Sequence, residues 1–102
     1  MDNDTKFLEK AEAKLNWLED HLMDLSDELD CARSGNVLTI ELDDGQQIVV
    51  NIQTPMHEIW CASVFGGTHF KQNEEGQWIN PRTKLTLEKT IYADLARFGL
   101  EL

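Results

Sequence analysis

Six carboxylates crowd the stretch from Trp17 to Asp30: Glu19, Asp20, Asp24, Asp27, Glu28 and Asp30. No Lys or Arg falls between Lys14 and Arg33 to neutralise them. Concentrating like charge costs the folded state stability. The pattern therefore points to a positive ligand, either a metal ion or a basic protein surface. Oxygen donors suit hard cations such as Fe3+ and Ca2+, and Fe2+ tolerates them. Asp20 and Asp24 stand one helical turn apart and share a face, while Asp27, Glu28 and Asp30 follow close behind. No EF-hand loop or paired-His motif encloses them. The site implied is open, solvated, weak and tolerant of several divalent or trivalent cations. The competing reading is a solvated acidic face that binds nothing in particular.

Other side chains could add to this chemistry or supply their own. His21 lies beside Asp20 and Asp24 and can offer a nitrogen ligand, whereas His57 and His69 are isolated. Cys31 and Cys61 are far apart and form no CxxC pair. They read as reduced thiols at packing positions in strands. An iron–sulfur cluster takes about four Cys ligands, so this chain alone does not hold one. No nucleophile–base pair, phosphate loop or closed metal site is present, so no enzyme is expected. Slow incidental oxidation of iron at the carboxylates is compatible with that expectation.

The composition bounds the partners. With 102 residues the chain makes one domain, 1–102, large enough to bury a core. Apolar residues make up 41% and the net charge is −10. That charge excludes nucleic acid and anionic membrane surfaces, which recruit Lys and Arg clusters. The opening MDNDTKFLEK carries no apolar signal-peptide core, and no apolar run approaches the roughly 20 residues of a membrane span. The expected location is cytoplasmic.

The elements that must position the carboxylates follow from hydrophobic spacing. Phe7, Ala11, Leu15, Leu18, Leu22 and Leu25 recur at intervals of three and four, one face of a helix from about Asp4 to Leu25. Asn3 or Asp4 can cap it. Strands are expected at Asp30–Arg33, Val37–Leu42, Gln47–Ile52, Glu58–Ser63, Thr68–Phe70 and Gln77–Ile79. Turns are expected at Asp43-Asp44-Gly45, at Thr54-Pro55, at Gly66-Gly67 and at Glu75-Gly76. Thr86 can cap a last helix carrying Leu87, Ile91, Leu95 and Phe98, with Gly99 just beyond. The result is an α+β two-layer sandwich: two helices on one face of an antiparallel sheet of about six strands. Trp60 sits mid-strand between Ile59 and Cys61. If those two point to the helices, Trp60 points to the open face, where an exposed Trp anchors interfaces. The alternative is a Trp packed by cross-strand neighbours such as Asn51 or Gln53.

Several strings resemble the frataxin family, in its bacterial branch, over nearly the whole chain. The most specific is Asn51-Ile52-Gln53-Thr54-Pro55-Met56-His57-Glu58-Ile59-Trp60, similar to the family's N-x-Q-x-P-x-x-x-[IV]-W signature. Gly66-Gly67-Thr68-His69-Phe70, Trp78-Ile79 and the acidic helix end match as well. The resemblance implies an iron-binding protein (Fe2+ or Fe3+, weakly held) that serves iron–sulfur cluster assembly. Its role would be iron-dependent regulation of a cysteine desulfurase and scaffold complex, or donation of iron. On that resemblance the metal ridge is Glu19, Asp20, Asp24, Asp27, Glu28 and Asp30, and the partner face is Asn51, Gln53 and Trp60. The rival expectation is an acidic module that docks basic partners, with metal binding incidental.

Overall fold

The structure is a computed structural model and describes residues 2–102. The chain runs α1 (Asn3–Leu25), β1 (Leu29–Ser34), β2 (Val37–Leu42), β3 (Gln47–Gln53), a 3-10 turn (Thr54–Met56), β4 (Glu58–Ser63), β5 (Gly66–Gln72), β6 (Trp78–Ile79) and α2 (Leu87–Arg97). All six strands form one antiparallel meander in sequence order. Both helices pack on one face, as the periodicities predict.

Asp2 caps α1 by accepting the Thr5 N–H at 2.7 Å, one residue ahead of the expected Asn3. Phe7, Ala11, Leu15, Leu18 and Leu22 are buried along one stripe. Leu25, expected to extend that stripe, is 44% exposed. It is the last helical residue, and Ser26 takes an extended backbone there that turns the chain into β1. On the sheet, burial alternates with period two. Leu38, Ile40 and Leu42 of β2, and Ile48, Val50 and Ile52 of β3, face the helices, while Thr39, Glu41, Val49 and Asn51 face away. In the β2–β3 turn Gly45 adopts φ +88°, a conformation open to glycine at little cost.

The β4–β5 turn departs from expectation. It lies on Val64 and Phe65, and Gly66 and Gly67 already belong to β5. Tertiary packing places it: the Phe65 ring lies 4.6 Å from that of Phe98 and beneath the Arg97 guanidinium, and Ser63 Oγ accepts the Phe65 N–H.

Thr86 caps α2, which buries Leu87, Ile91 and Leu95; Phe98 forms the C-cap and Gly99 follows at φ +96°. Polar contacts join the helices outside the core. Lys14 donates to Glu88 at 2.9 Å and lies 4.3 Å over the Trp17 ring. His21 pairs with the Tyr92 hydroxyl at 2.6 Å. Burial pushes the Glu88 carboxyl up, but its hydrogen bonds, that from Lys14 first, leave it below its ordinary value. The stability this contributes is present above the ordinary carboxylate range and is lost as pH falls through the folded value.

Leu18 is 0% exposed and Leu25 is 44% exposed on the same helix. Leu18→Ala should cost about 3 kcal/mol by urea unfolding, the ordinary loss at a core leucine. Leu25→Ala should cost under about 1 kcal/mol. Equal losses would show that the stripe continues through Leu25.

Candidate functional site

The ridge is built from three short pieces of chain. Glu19, Asp20 and Asp24 ride on α1 opposite its buried stripe, Asp27 and Glu28 form the turn after it, and Asp30 is the second residue of β1. Ser26 organises the turn, since its N–H donates to the Leu22 carbonyl and its Oγ accepts the Glu28 N–H. Asp20, Asp24, Asp27, Glu28 and Asp30 are exposed and Glu19 is half-buried. The last turn of α1 contains no basic residue, so Asp24 opposes the helix dipole there.

Among the described residues none of the six pairs with a Lys or Arg. Arg33, three residues beyond Asp30, spends its guanidinium on Asn16 and on the Gly35 carbonyl. Cys31, next to Asp30 in β1, points to the core side of the sheet. Burial, with the negative charges of Glu19 and Asp30, pushes its thiol up to about 11. Burial and Asp94 push Cys61 up to about 12. Both cysteines are therefore protonated packing residues.

The strand register divides the ridge. Leu29 and Cys31 point into the core, so Asp30 lies on the open face, directly opposite Glu41 of β2. Two carboxylates so placed repel, and Glu41 is linked only to the Gln47 side chain, at 3.1 Å. Glu28 shares a shallow cleft of about 160 Å³ with Asp43 and Asp44. Glu41, Asp43 and Asp44 thus extend the acidic surface beyond the six residues expected. Asp43 and Asp44 stood out only as turn residues, and the signal for Glu41 lay in the Ser34-Gly35-Asn36 stretch between β1 and β2, whose turn sets the register that opposes it to Asp30. His21 is drawn toward α2: its Nε2 meets Tyr92 and its ring stacks 4.4 Å from Trp17, leaving only Nδ1 for a metal. Among the described residues no three His, Cys, Asp or Glu side chains converge enough to enclose an ion. Hard oxygen donors suit iron, and this array suits a weakly held, exchangeable ion.

A second surface lies on the open face of the sheet. Ile59 and Cys61 are core, and Trp60 between them is 39% exposed. Asn51 stands opposite Trp60, and Gln53 opposite Glu58. The Trp60 indole N–H donates to Glu58 at 2.9 Å, and its ring lies 5.5 Å from that of His69. Trp60 on β4 is three strand spacings across from Asp30 on β1 and four residues along the strands, roughly 20 Å in all.

Residues 1–98 match the family model of the Frataxin-like domain. The chain belongs to the frataxin-like family. It is 39% identical over 100 residues to the iron–sulfur cluster assembly protein CyaY of Ralstonia pickettii, covering 94% of this chain and 84% of that one. This frataxin-like fold superposes on frataxin from Psychromonas ingrahamii with a TM-score of 0.89 at 25% identity, over 98% of this chain and 94% of the other. It matches trimeric frataxin from Saccharomyces cerevisiae, complexed with ferrous iron, with a TM-score of 0.72 at 28% identity, over 86% and 83% of the two chains. No helix among the described residues is long and apolar enough to cross a membrane.

Iodoacetamide at pH 8 should leave Cys31 and Cys61 unmodified in the native protein and alkylate both in urea. The raised values keep each thiol protonated well above that pH, and the thiolate is the reactive form. Rapid labelling of Cys31 in the native state would contradict its burial in the core.

Proposed function

We propose that this chain serves iron–sulfur cluster assembly by carrying iron loosely on the ridge and docking the assembly machinery. Glu19, Asp20, Asp24, Asp27, Glu28 and Asp30 hold the iron as cargo, with His21 Nδ1 an added donor. Other divalent or trivalent cations can take its place. The observation that carries the reading is the ridge itself, a run of carboxylates without one Lys or Arg partner among the described residues. A cation relieves that repulsion, and binding only to the folded state adds stability by mass action. The relatives' name, iron–sulfur cluster assembly protein, supports the same reading.

The partners are the cysteine desulfurase, whose basic surface meets the ridge, and the scaffold protein, which meets Asn51, Gln53 and Trp60. Iron on the ridge changes its charge, and so changes how the ridge docks the desulfurase. The chain acts in this way as an iron-dependent regulator in the cytoplasm, without a catalytic residue of its own. That no three ligands converge favours a second reading, an acidic docking module whose metal binding is incidental.

The two readings part when sulfur transfer is followed in a mixture of desulfurase, scaffold and this protein, with and without ferrous iron. The wild type should alter the rate in an iron-dependent way. Asp24→Lys combined with Asp27→Lys should abolish that dependence and raise the melting temperature by a few degrees, since repulsion is relieved. Trp60→Ala should keep ridge metal binding and weaken scaffold contact by about 2 kcal/mol, the usual loss at an anchor Trp. An effect of the wild type that ignores iron would leave only the docking module.

A further inference from the structure

Glu58 opens β4 on the sheet's open face, two residues before Trp60 and on the same side of the strand. Although that face is otherwise wet, Glu58 is only 7% exposed. Its Oε1 accepts the Trp60 indole N–H at 2.9 Å. Its Oε2 takes no hydrogen bond from the protein. His69 Nδ1 is 3.7 Å away on an exposed side chain, too far for one. Lys71 stands directly across the β4–β5 pair from Glu58, but its ammonium donates to the Met56 carbonyl at 3.0 Å. Among the described residues no Lys or Arg pairs with Glu58.

A neutral amide would hold the indole N–H equally well. A carboxylate nearly withdrawn from water costs far more unless a cation pairs with it. Among the described residues no Lys or Arg lies within ion-pair distance of it, and the His69 imidazole that does is a cation only when protonated. Trp60 adds the complementary half. Its N–H is spent on Glu58, so what the residue, 39% exposed, offers outward is its ring, and an aromatic face attracts cations. A guanidinium can lie on a ring and donate to a carboxylate at the same time, which an ammonium does less well.

We propose that Glu58 and Trp60 together form a receptor for an arginine of the docking partner. Trp60 supplies the ring face and Glu58 Oε2 the acceptor. Asp30 and Glu41, farther along the same face, add the negative field that favours such a basic partner. The inference rests on the reading that this face docks the scaffold protein, and it names what the face selects for.

Glu58→Gln removes the charge and keeps an acceptor for the indole. Calorimetric titration against the scaffold protein, paired with the NMR resonance of the Trp60 indole N–H, tests the receptor. Glu58→Gln should leave the indole resonance near its wild-type position, weaken binding about tenfold or more and flatten its dependence on salt. Trp60→Ala should weaken binding about 30-fold, and the double variant by less than the product, because one arginine serves both residues. Wild-type affinity in Glu58→Gln would overturn the receptor and leave Glu58 as a support for Trp60. Wild-type affinity in Trp60→Ala would overturn both the receptor and the docking of the scaffold on this face.

Discussion

Phe7, Ala11, Leu15, Leu18 and Leu22 lose nearly all contact with water where α1 packs on the sheet. A helix anchored along five such positions cannot rotate, because one step of rotation would expose a leucine and bury a charge. Each fully buried leucine is worth about 1.5–3 kcal/mol, far more than repulsion between solvated carboxylates costs. The opposite side of α1 is therefore held in water whatever it carries. What it carries at its C-terminal end is Glu19, Asp20 and Asp24, followed by Asp27 and Glu28 in the turn at Ser26 and by Asp30 on the open face of the sheet. The core tolerates a surface that no local interaction favours.

The same separation of duties runs through the sheet. Its helix-facing side is apolar and closed, and its other side is free of structural work except at Glu58. There a carboxylate is nearly withdrawn from water, held to Trp60, with only the exposed His69 imidazole, 3.7 Å away, near it among the described residues. The molecule thus carries two acidic features of opposite kind. The ridge is broad, exposed and without geometry, suited to ions that come and go. Glu58 is single and shielded beside an aromatic face, suited to one directed contact.

The layers were legible in the sequence because their signals are periodic. Spacings of three and four marked α1 and α2, and alternation marked β2, β3 and β4. Local turn chemistry was a weaker guide. Gly66 and Gly67 looked like a turn, but Phe65 packs on Phe98, a contact no local rule contains, and the turn lies two residues back. The ridge residues were legible by type alone, yet their division was not. Asp30 faces Glu41 only through the β1–β2 register, and His21 is claimed by Tyr92 from 71 residues away. Glu58 escaped for a like reason. Alternation assigns it to a wet face, and only the strand pairing shows the indole and His69 closing over it.

The central claim is that the charge gathered at the end of α1 and the start of β1 is where iron lands. The direct measurement is an anaerobic titration of the isotope-labelled protein with ferrous iron, followed residue by residue through NMR line broadening. The account predicts that backbone signals from Glu19 to Asp30 broaden first, with Glu41 next. Those of Asn51, Gln53 and Trp60 should persist until the ridge is saturated. Broadening that begins around His57 and His69, with the ridge untouched, would contradict it.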